Sequence, residues 1–199
     1  MLDALEQMMV ILMNIGGIIG IGVGVIIVFY FIGTYNRFVN LKNGIESNLK
    51  QISVALKKRL DLIDQVVASV KGQMKFEKST LTEVTKLRSG ITGQMDAAQA
   101  KKVDAASSKI ISGFQLQVEN YPNLKSNENV SQLITSVNEL EEEISRLRYV
   151  YNNTVQEFNT KTQTIPSNIV AGLFGFGKTN YLEFDESEST LKKAPKIDL

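Results

Sequence analysis

An uninterrupted apolar segment dominates the first part of the chain. From Met8 to Gly33, 26 residues carry no charge and are apolar except for Asn14. A helix that crosses a bilayer needs about 20 apolar residues, so the segment predicts a transmembrane helix over residues 8–34, after a short N-terminus of residues 1–7. Tyr30 and Tyr35 stand where interfacial aromatic residues are common. A cleaved secretory signal is the alternative, which the acidic N-terminus, the segment's length and the lack of a small-residue cleavage box disfavour.

The next apolar residues recur at the helical spacing of three or four. This first stripe occupies positions 38, 41, 45, 49, 52, 56, 60, 63, 67 and 70, and the mean spacing is close to that of a coiled coil. Gly44 is the only helix breaker, glycine or proline, between Tyr35 and Val70. The transmembrane segment and the stripe are therefore predicted to form one long helix that ends at Lys71-Gly72.

Two further stripes predict two more helices. The second helix is predicted to start at a capping box made by Thr80 and Glu83, and to end at Tyr121-Pro122. Gly90 and Gly93 predict either a kink or a break within it, and the pattern leaves both possibilities open. The third stripe consists of Val130, Leu133, Val137, Leu140, Ile144, Leu147, Tyr151, Phe158 and Ile165.

These stripes predict an all-α fold. Amphipathic helices of similar length bury their apolar stripes on one another, so the expected architecture is a transmembrane helix that continues into an antiparallel bundle of three to four long helices over residues 35–165. A short apolar helix or loop is expected over residues 166–184, and a flexible polar tail over residues 185–199. If the three helices alternate in direction, the segment after Pro166 emerges at the far end of the bundle, about 55 Å from the membrane.

Two sets of residues are candidate contact surfaces. The first is a glycine repeat in the apolar segment, Gly16, Gly20 and Gly24, whose four-residue spacing places the glycines near one helix face and favours close packing of a second transmembrane helix. The second set either caps the open end of the bundle or binds a partner, and the cap is favoured because an apolar bundle end needs cover. This set consists of Ile169, Val170, Leu173, Phe174 and Phe176.

Composition restricts the chemistry. The chain has no histidine, cysteine or tryptophan, which removes the commonest general base, the thiol nucleophile and zinc sites of the His/Cys type. The net charge of +1 gives no basic excess of the kind that nucleic-acid binding requires. Arg37, Lys42 and Lys50 follow the apolar segment, whereas only acidic side chains precede it, so the basic bias places the C-terminal part in the cytoplasm and the N-terminus outside.

Two motifs resemble a nucleotide-binding site and a metal site, but neither is interpreted as a functional site. Residues Gly172–Thr179 fit the phosphate-loop pattern GxxxxGK[ST], but such a loop follows a strand and opens a helix, and neither is predicted here. Glu139, Glu141, Glu142 and Glu143 suggest a metal site, but consecutive positions point around a helix, so they are interpreted as its solvated face. No catalytic, cofactor-binding or metal-ligating residue is therefore predicted, and no cofactor or small-molecule substrate is expected.

Several motifs together resemble the LemA family of membrane-anchored proteins, and the resemblance extends from the apolar segment to about Phe184. It implies a single N-terminal membrane helix, an N-terminus outside, a cytoplasmic helical bundle and no established molecular activity. The chain departs from the family pattern at Leu60, where histidine is frequent, and at Asp64, where proline is frequent. The motifs are Tyr35-Asn36, Gln51-Ile52, Leu56-Lys57-Lys58-Arg59, Val70-Lys71-Gly72, Tyr121-Pro122, Tyr151-Asn152, Phe158-Asn159, Pro166-Ser167-Asn168 and Phe174-Gly175-Phe176.

The function expected from the sequence is that of a non-enzymatic scaffold or adaptor. Its expected partners are the lipid bilayer and other membrane or envelope proteins, and it is expected to form a homo-oligomer if the glycine face associates. Two alternatives stay open: a signal transducer with a hinge at Gly90 and Gly93, and an enzyme, either one that binds a nucleotide through the loop at residues 172–179 or a carboxylate hydrolase.

Overall fold

The computed structural model of the chain describes residues 2–70, 78–91, 95–121, 124 and 127–182. Within these residues the fold is all-helical, without a strand, as predicted. The helices are α1 (Leu2–Val70), α2 (Lys78–Gly90), α3 (Ala97–Glu119), α4 (Glu128–Gln163) and α5 (Ser167–Phe174). The predicted polar tail at residues 185–199 lies outside the described residues, as do Gly72, Gly93 and Pro122.

Helix α1 runs through the apolar segment and the first stripe without a break, as predicted, and ends at Val70. From Phe38 to Val70, every position of the predicted stripe is buried except Leu49, which is half-buried. A stripe of this kind is stable only when other helices cover it. The apolar side chains described before Gly33 are instead exposed, apart from the half-buried Phe31.

The predicted second helix is two helices. Helix α2 ends at Gly90, Ile91 is not helical, and α3 starts after Asp96. Asp96 accepts a hydrogen bond from the backbone N–H of Gln99 (2.7 Å), and the Gln99 side chain accepts one from the Asp96 N–H (3.2 Å). This capping box begins a new helix, which explains why the chain breaks here rather than bends. Helix α2 begins at Lys78, two residues before the predicted start.

The chain divides into two compact units. The first combines residues 1–43 with 157–179, and the second combines residues 44–156 with 180–199. In the second unit, the side chains of α1 meet those of α3 and α4 in one core. Its buried members are Val66, Val70, Phe114, Val118, Leu124, Val130 and Val137.

Contacts within the second unit give the directions of its helices. Asn48 contacts Thr154, and Arg59 contacts Glu141, so α4 runs antiparallel to α1. Arg59 also contacts Asp104, while Val118 joins the same core as Val70, so α3 runs parallel to α1. Helix α2, which lies between α1 and α3 in the sequence, runs antiparallel to α1, because Arg88 near its end pairs with Asp61 and Asp64 (3.1 Å each). The extra helix therefore adds one reversal that the sequence did not predict.

The third stripe is confirmed along α4 and fails at its end. Six of its nine residues are buried and two, Leu133 and Leu147, are half-buried. Tyr151 and Phe158 are buried, but Ile165 is 84% exposed. The reason is that α4 ends at Gln163, so Ile165 no longer follows the helical period that would carry it to the buried face.

Candidate functional site

The apolar part of α1 is long enough and apolar enough to cross a bilayer, and none of the residues in its most apolar window is buried by the fold. Gly16, Gly20 and Gly24 lie in this part, and beyond their chain neighbours and the nearby backbone of α1 no described atom lies within 4 Å of a Cβ placed on any of them. The glycine face is therefore open within a single chain. Association of two chains through it stays a prediction.

Directly after this segment, the first unit builds an aromatic cluster, defined here as Tyr35, Phe38, Phe158, Phe174 and Phe176. The ring of Phe176 stacks on that of Phe38, with centroids 4.8 Å apart. Phe158 meets Phe38 edge to face at 5.7 Å, and Phe174 lies 4.7 Å from Tyr35. Centroid distances of this size are those of favourable aromatic pairs. The cluster holds α5 and the residues after it against the first helical turns beyond the apolar segment.

This position corrects the expectation that the segment after Pro166 emerges far from the membrane helix. Phe174 and Phe176 contact Tyr35, which is only two residues beyond Gly33. Near the same place, the Nε of Arg37 donates to Glu157 of α4 (3.1 Å). The prediction was wrong because it counted three long helices, whereas α2 and α3 are separate helices and α4 runs antiparallel to α1.

The five residues predicted as a cap or partner surface have different environments. Val170 is fully buried and Phe176 is half-buried, so these two pack inward. Ile169, Leu173 and Phe174 are exposed. Helix α5 thus covers the aromatic cluster with one face and leaves an apolar face uncovered within the described chain.

Gly175 makes the turn that returns Phe176 to the cluster. It has a left-handed backbone (φ 71°), and its N–H donates to the carbonyl of Ala171, which also accepts from the Phe176 N–H (2.9 Å). Glycine adopts this conformation without the clash that a Cβ causes. The Asn159 side chain then holds Thr179: its Nδ2 donates to the Thr179 carbonyl (2.8 Å) and its Oδ1 accepts from the Thr179 N–H (2.9 Å).

We expect Gly175→Ala to lower the free energy of unfolding by about 1 kcal/mol, because alanine is strained at a positive φ. Gly172→Ala is the matched control: Gly172 is helical and has open space around it, so alanine should stabilise α5 by about 0.5–1 kcal/mol. Chemical unfolding followed by helical circular dichroism measures both. Changes of the same sign would contradict the assignment of the turn to Gly175.

In the second unit, Asn152 and Tyr151 hold the backbone of Leu182 and Asn180. Asn152 donates to the Leu182 carbonyl (3.0 Å) and accepts from the Leu182 N–H (2.9 Å). The Tyr151 hydroxyl donates to the Asn180 carbonyl (3.2 Å). Tyr151 is buried, and this burial raises the pKa of its hydroxyl above the ordinary value of 10.0 because the phenolate would lose its hydration.

The raised pKa of Tyr151 predicts alkaline unfolding. Since the folded state holds the proton more tightly, the stabilisation is complete below pH 10.0 and is lost as the pH rises through the folded-state pKa. Tyr151→Phe should remove this part of the alkaline loss, and at neutral pH it should cost about 0.5–1.5 kcal/mol for the hydrogen bond. Unfolding titrations at neutral and alkaline pH test this, with Tyr149→Phe at an exposed tyrosine as control.

A buried ion network crosses the second unit, and the sequence analysis missed it. Arg59, only 1% exposed, donates to Asp104 (2.7 Å) and to the hydroxyl of Ser108 (2.8 Å), and it pairs with Glu141. Arg148 donates to the second oxygen of Asp104 (3.2 Å). The signal was present, because Arg59 stands three residues after Leu56 and four before Ile63, on the apolar stripe. Glu141, predicted as solvated, is a partner in this network.

The second unit has a very small enclosed cavity and larger grooves that are open to solvent, one of them, of about 740 Å³, between α2 and α3. Its apolar cavity, lined by residues including Ile63, Phe114 and Val137, holds about 20 Å³, which is about the size of one water. A groove of about 480 Å³ between α1 and α4 is charged, but it is open to solvent, and its residue Asp61 is already paired with Arg88. Of its acidic residues, Asp61 and Glu143 are half-buried and Glu139 is exposed.

The stretch that matches the phosphate-loop pattern has a different structure from a phosphate loop. Gly172 to Phe174 form the end of α5, and no helix follows within residues 175–182. A phosphate loop directs free backbone N–H groups at the ligand. Here the N–H groups of Gly175 and Phe176 bond to Ala171, and that of Thr179 bonds to Asn159. Three of the loop's donors are thus engaged within the fold.

Comparison with known proteins agrees with the resemblance seen in the sequence motifs. The model of the LemA family matches residues 48–199. Protein LemA of Metamycoplasma hominis is 29% identical to this chain over 147 residues, which cover 72% of this chain and 67% of that protein. Since the family match covers well over half of the residues, this all-helical chain with its long apolar N-terminal helix belongs to the LemA family.

Proposed function

We propose that this protein is a non-enzymatic, single-pass membrane protein whose helical part serves as a scaffold or adaptor for other membrane or envelope proteins. One observation carries the proposal: α1 is a single helix with two kinds of surface. Its apolar side chains are exposed before Gly33, whereas from Phe38 onward its apolar stripe is buried. The first kind of surface is suited to contact with lipid. The second is suited to a helical bundle in water, in which other helices cover the apolar stripe.

The proposed orientation places the N-terminus outside and the chain from Tyr35 onward in the cytoplasm. It is supported by Arg37, Lys42 and Lys50, which follow the apolar segment within about 20 residues, the distance over which basic residues direct orientation. Arg37 donates a hydrogen bond to Glu157. Because acidic residues contribute little to the orientation of a membrane helix, Arg37 still counts among the basic residues that direct it.

The adaptor role is supported by a second groove between α1 and α4 in the second unit. It holds about 310 Å³ and is lined by the apolar side chains of Val54, Ala55 and Leu147, together with Lys50, Lys58 and Glu143. Val54 is exposed although its neighbours in the stripe are buried. The groove is also lined by Ser47 and Gln51, and such a mixture of apolar, polar and oppositely charged side chains is compatible with a non-obligate protein contact.

Single cysteines test the orientation, because the natural chain has none. We expect Gln7→Cys to react with a membrane-impermeant maleimide on intact cells, and Tyr149→Cys to react only after permeabilisation. Both positions are exposed, so access to the reagent depends on the side of the membrane. The opposite pattern would reverse the orientation, and labelling of both positions on intact cells would contradict a single span.

A photoreactive residue at position 54 of the full-length protein, in its own membranes, tests the adaptor role. We expect it to crosslink to a discrete membrane or envelope protein that is not captured from position 112, an exposed serine of α3 outside the groove. Identical products at both positions, or none at position 54, would remove the support that the groove gives to the adaptor role.

A further inference from the structure

We propose that helix α5 lies in the headgroup region of the same bilayer that α1 crosses, with its exposed apolar side chains in contact with lipid. The inference rests on the proposed membrane span of α1, and all its contacts lie within the first unit. The exposed apolar side chains of α5 and the turn before it are Ile165, Ile169, Leu173 and Phe174.

The first argument is the position of α5 along α1. At 1.5 Å per residue, the 26-residue apolar segment is about 39 Å long, longer than the hydrocarbon core of about 30 Å. Gly33 therefore reaches the interface, and Tyr35 lies about 3 Å further along the axis. Since each interfacial layer is about 5–7 Å thick, Tyr35 stays within it. The ring of Phe174 lies 4.7 Å from that of Tyr35.

The second argument is the composition of the exposed face. No charged residue occurs between Lys161 and Lys178. Ile169 and Leu173 are four residues apart and therefore share one side of α5, while Val170 and Ala171 on the other side are buried. Exposed aliphatic and aromatic side chains on a short helix, with basic residues beside them, are typical of helices that lie in a membrane interface.

The third argument is charge. The described residues 34–43 and 157–179 carry four basic side chains, Arg37, Lys42, Lys161 and Lys178, against one acid, Glu157. That acid accepts from Arg37. Basic residues this close to a bilayer are attracted to anionic phospholipid. Lys161 and Lys178 flank the neutral segment, so the proposed ligand of this surface is an anionic phospholipid leaflet.

The absence of tryptophan from the natural chain allows a direct test with single reporters. Leu173→Trp places a reporter on α5, Phe29→Trp places one in the proposed span, and Tyr149→Trp places one on α4. The three native side chains are matched in exposure, at 69%, 71% and 69%, so each variant should fold. The full-length proteins are reconstituted into phosphatidylcholine–phosphatidylglycerol vesicles whose acyl chains are brominated near the headgroup or left unmodified.

We expect bromination to lower the emission of Leu173→Trp about twofold, as for a side chain held in the interface, and to quench Phe29→Trp as well, with no comparable effect on Tyr149→Trp. Adding Lys178→Glu to Leu173→Trp should weaken the quenching in vesicles that contain phosphatidylglycerol but not in neutral vesicles. Equal quenching with and without this change would contradict the preference for anionic lipid.

Three outcomes would overturn the proposal. If Leu173→Trp is unquenched while Phe29→Trp is quenched, α5 does not contact lipid, and the span of α1 stands. If neither is quenched, the proposed span falls together with the contact of α5. If the emission of Leu173→Trp shifts to the blue without quenching, protein covers the face instead, for example a second copy of this chain.

Discussion

Replacing Asp104 by alanine is expected to lower the free energy of unfolding by about 3–5 kcal/mol. Asp104 is buried and accepts from two guanidinium groups, those of Arg59 (2.7 Å) and Arg148 (3.2 Å). Its removal leaves the fully buried Arg59 with Glu141 as its remaining ionic partner in this network, next to a second positive charge. The loss thus comes from a buried charge that has lost compensation, and it is measured by chemical unfolding of the full-length protein in detergent.

Two variants separate the charge effect from other causes. Asp104→Asn keeps the volume of the side chain, so a loss close to that of alanine would assign the effect to charge. Asp64→Ala removes a carboxylate that is more than one-third exposed and pairs with Arg88 on the surface, where such pairs contribute about 0–1 kcal/mol. Equal losses for Asp104→Ala and Asp64→Ala would contradict the special role of the buried network.

Phe38→Ala is expected to cost about 3–5 kcal/mol, since it empties the centre of the aromatic cluster. Phe38 is fully buried, stacks on Phe176 and meets Phe158 edge to face. Without it, the ring of Phe176 loses its main contact. We therefore expect faster hydrogen exchange at the amides of Phe176 and Thr179 as well as a lower unfolding midpoint.

Phe29→Ala is the matched control, because it removes the same side chain from the exposed, apolar part of the same helix. Little change in the stability of the fold is expected there, since Phe29 has no buried contacts to lose. A loss as large as that of Phe38→Ala, or unchanged exchange at Phe176 in Phe38→Ala, would mean that the cluster does not hold the residues after α5.

The helical stripes were predictable from the sequence because burial along a helix follows a local rule. Apolar residues at spacings of three or four share one face, so the buried face of α1 from Phe38 to Val70 could be identified without knowledge of its partners. The same rule identified most of α4. It failed at Ile165, because its use assumed that the helix continued past Gln163.

The break before α3 was only half predictable. Gly90 and Gly93 indicated a weak point, and the capping pattern of Asp96 with Gln99 stood in the sequence three residues after Gly93. A cap shows that a helix can begin, but not that the chain reverses there. The direction of α2 depends on contacts distant in sequence, such as those of Arg88 with Asp61 and Asp64.

The repeated aromatic–asparagine pairs show that a motif can be recognised in the sequence while its structural role stays unknown. Tyr151-Asn152 and Phe158-Asn159 were recognisable as family motifs, but their role was not. In the structure the aromatic residues are buried, while the asparagines bond to both backbone groups of Leu182 and Thr179. An amide side chain can donate and accept at once, but which backbone it meets depends on how the chain folds back.

By itself, the sequence determined the all-helical fold, the apolar segment at the N-terminal end and the buried faces of α1 and of most of α4, because these depend on composition and on the period of a single helix. Only the tertiary structure decided that α5 lies beside Tyr35 rather than at a distant end, and that Arg59 is buried against Asp104. Both depend on the number of chain reversals and on partners 45 or more residues away. A local pattern carries no information about either.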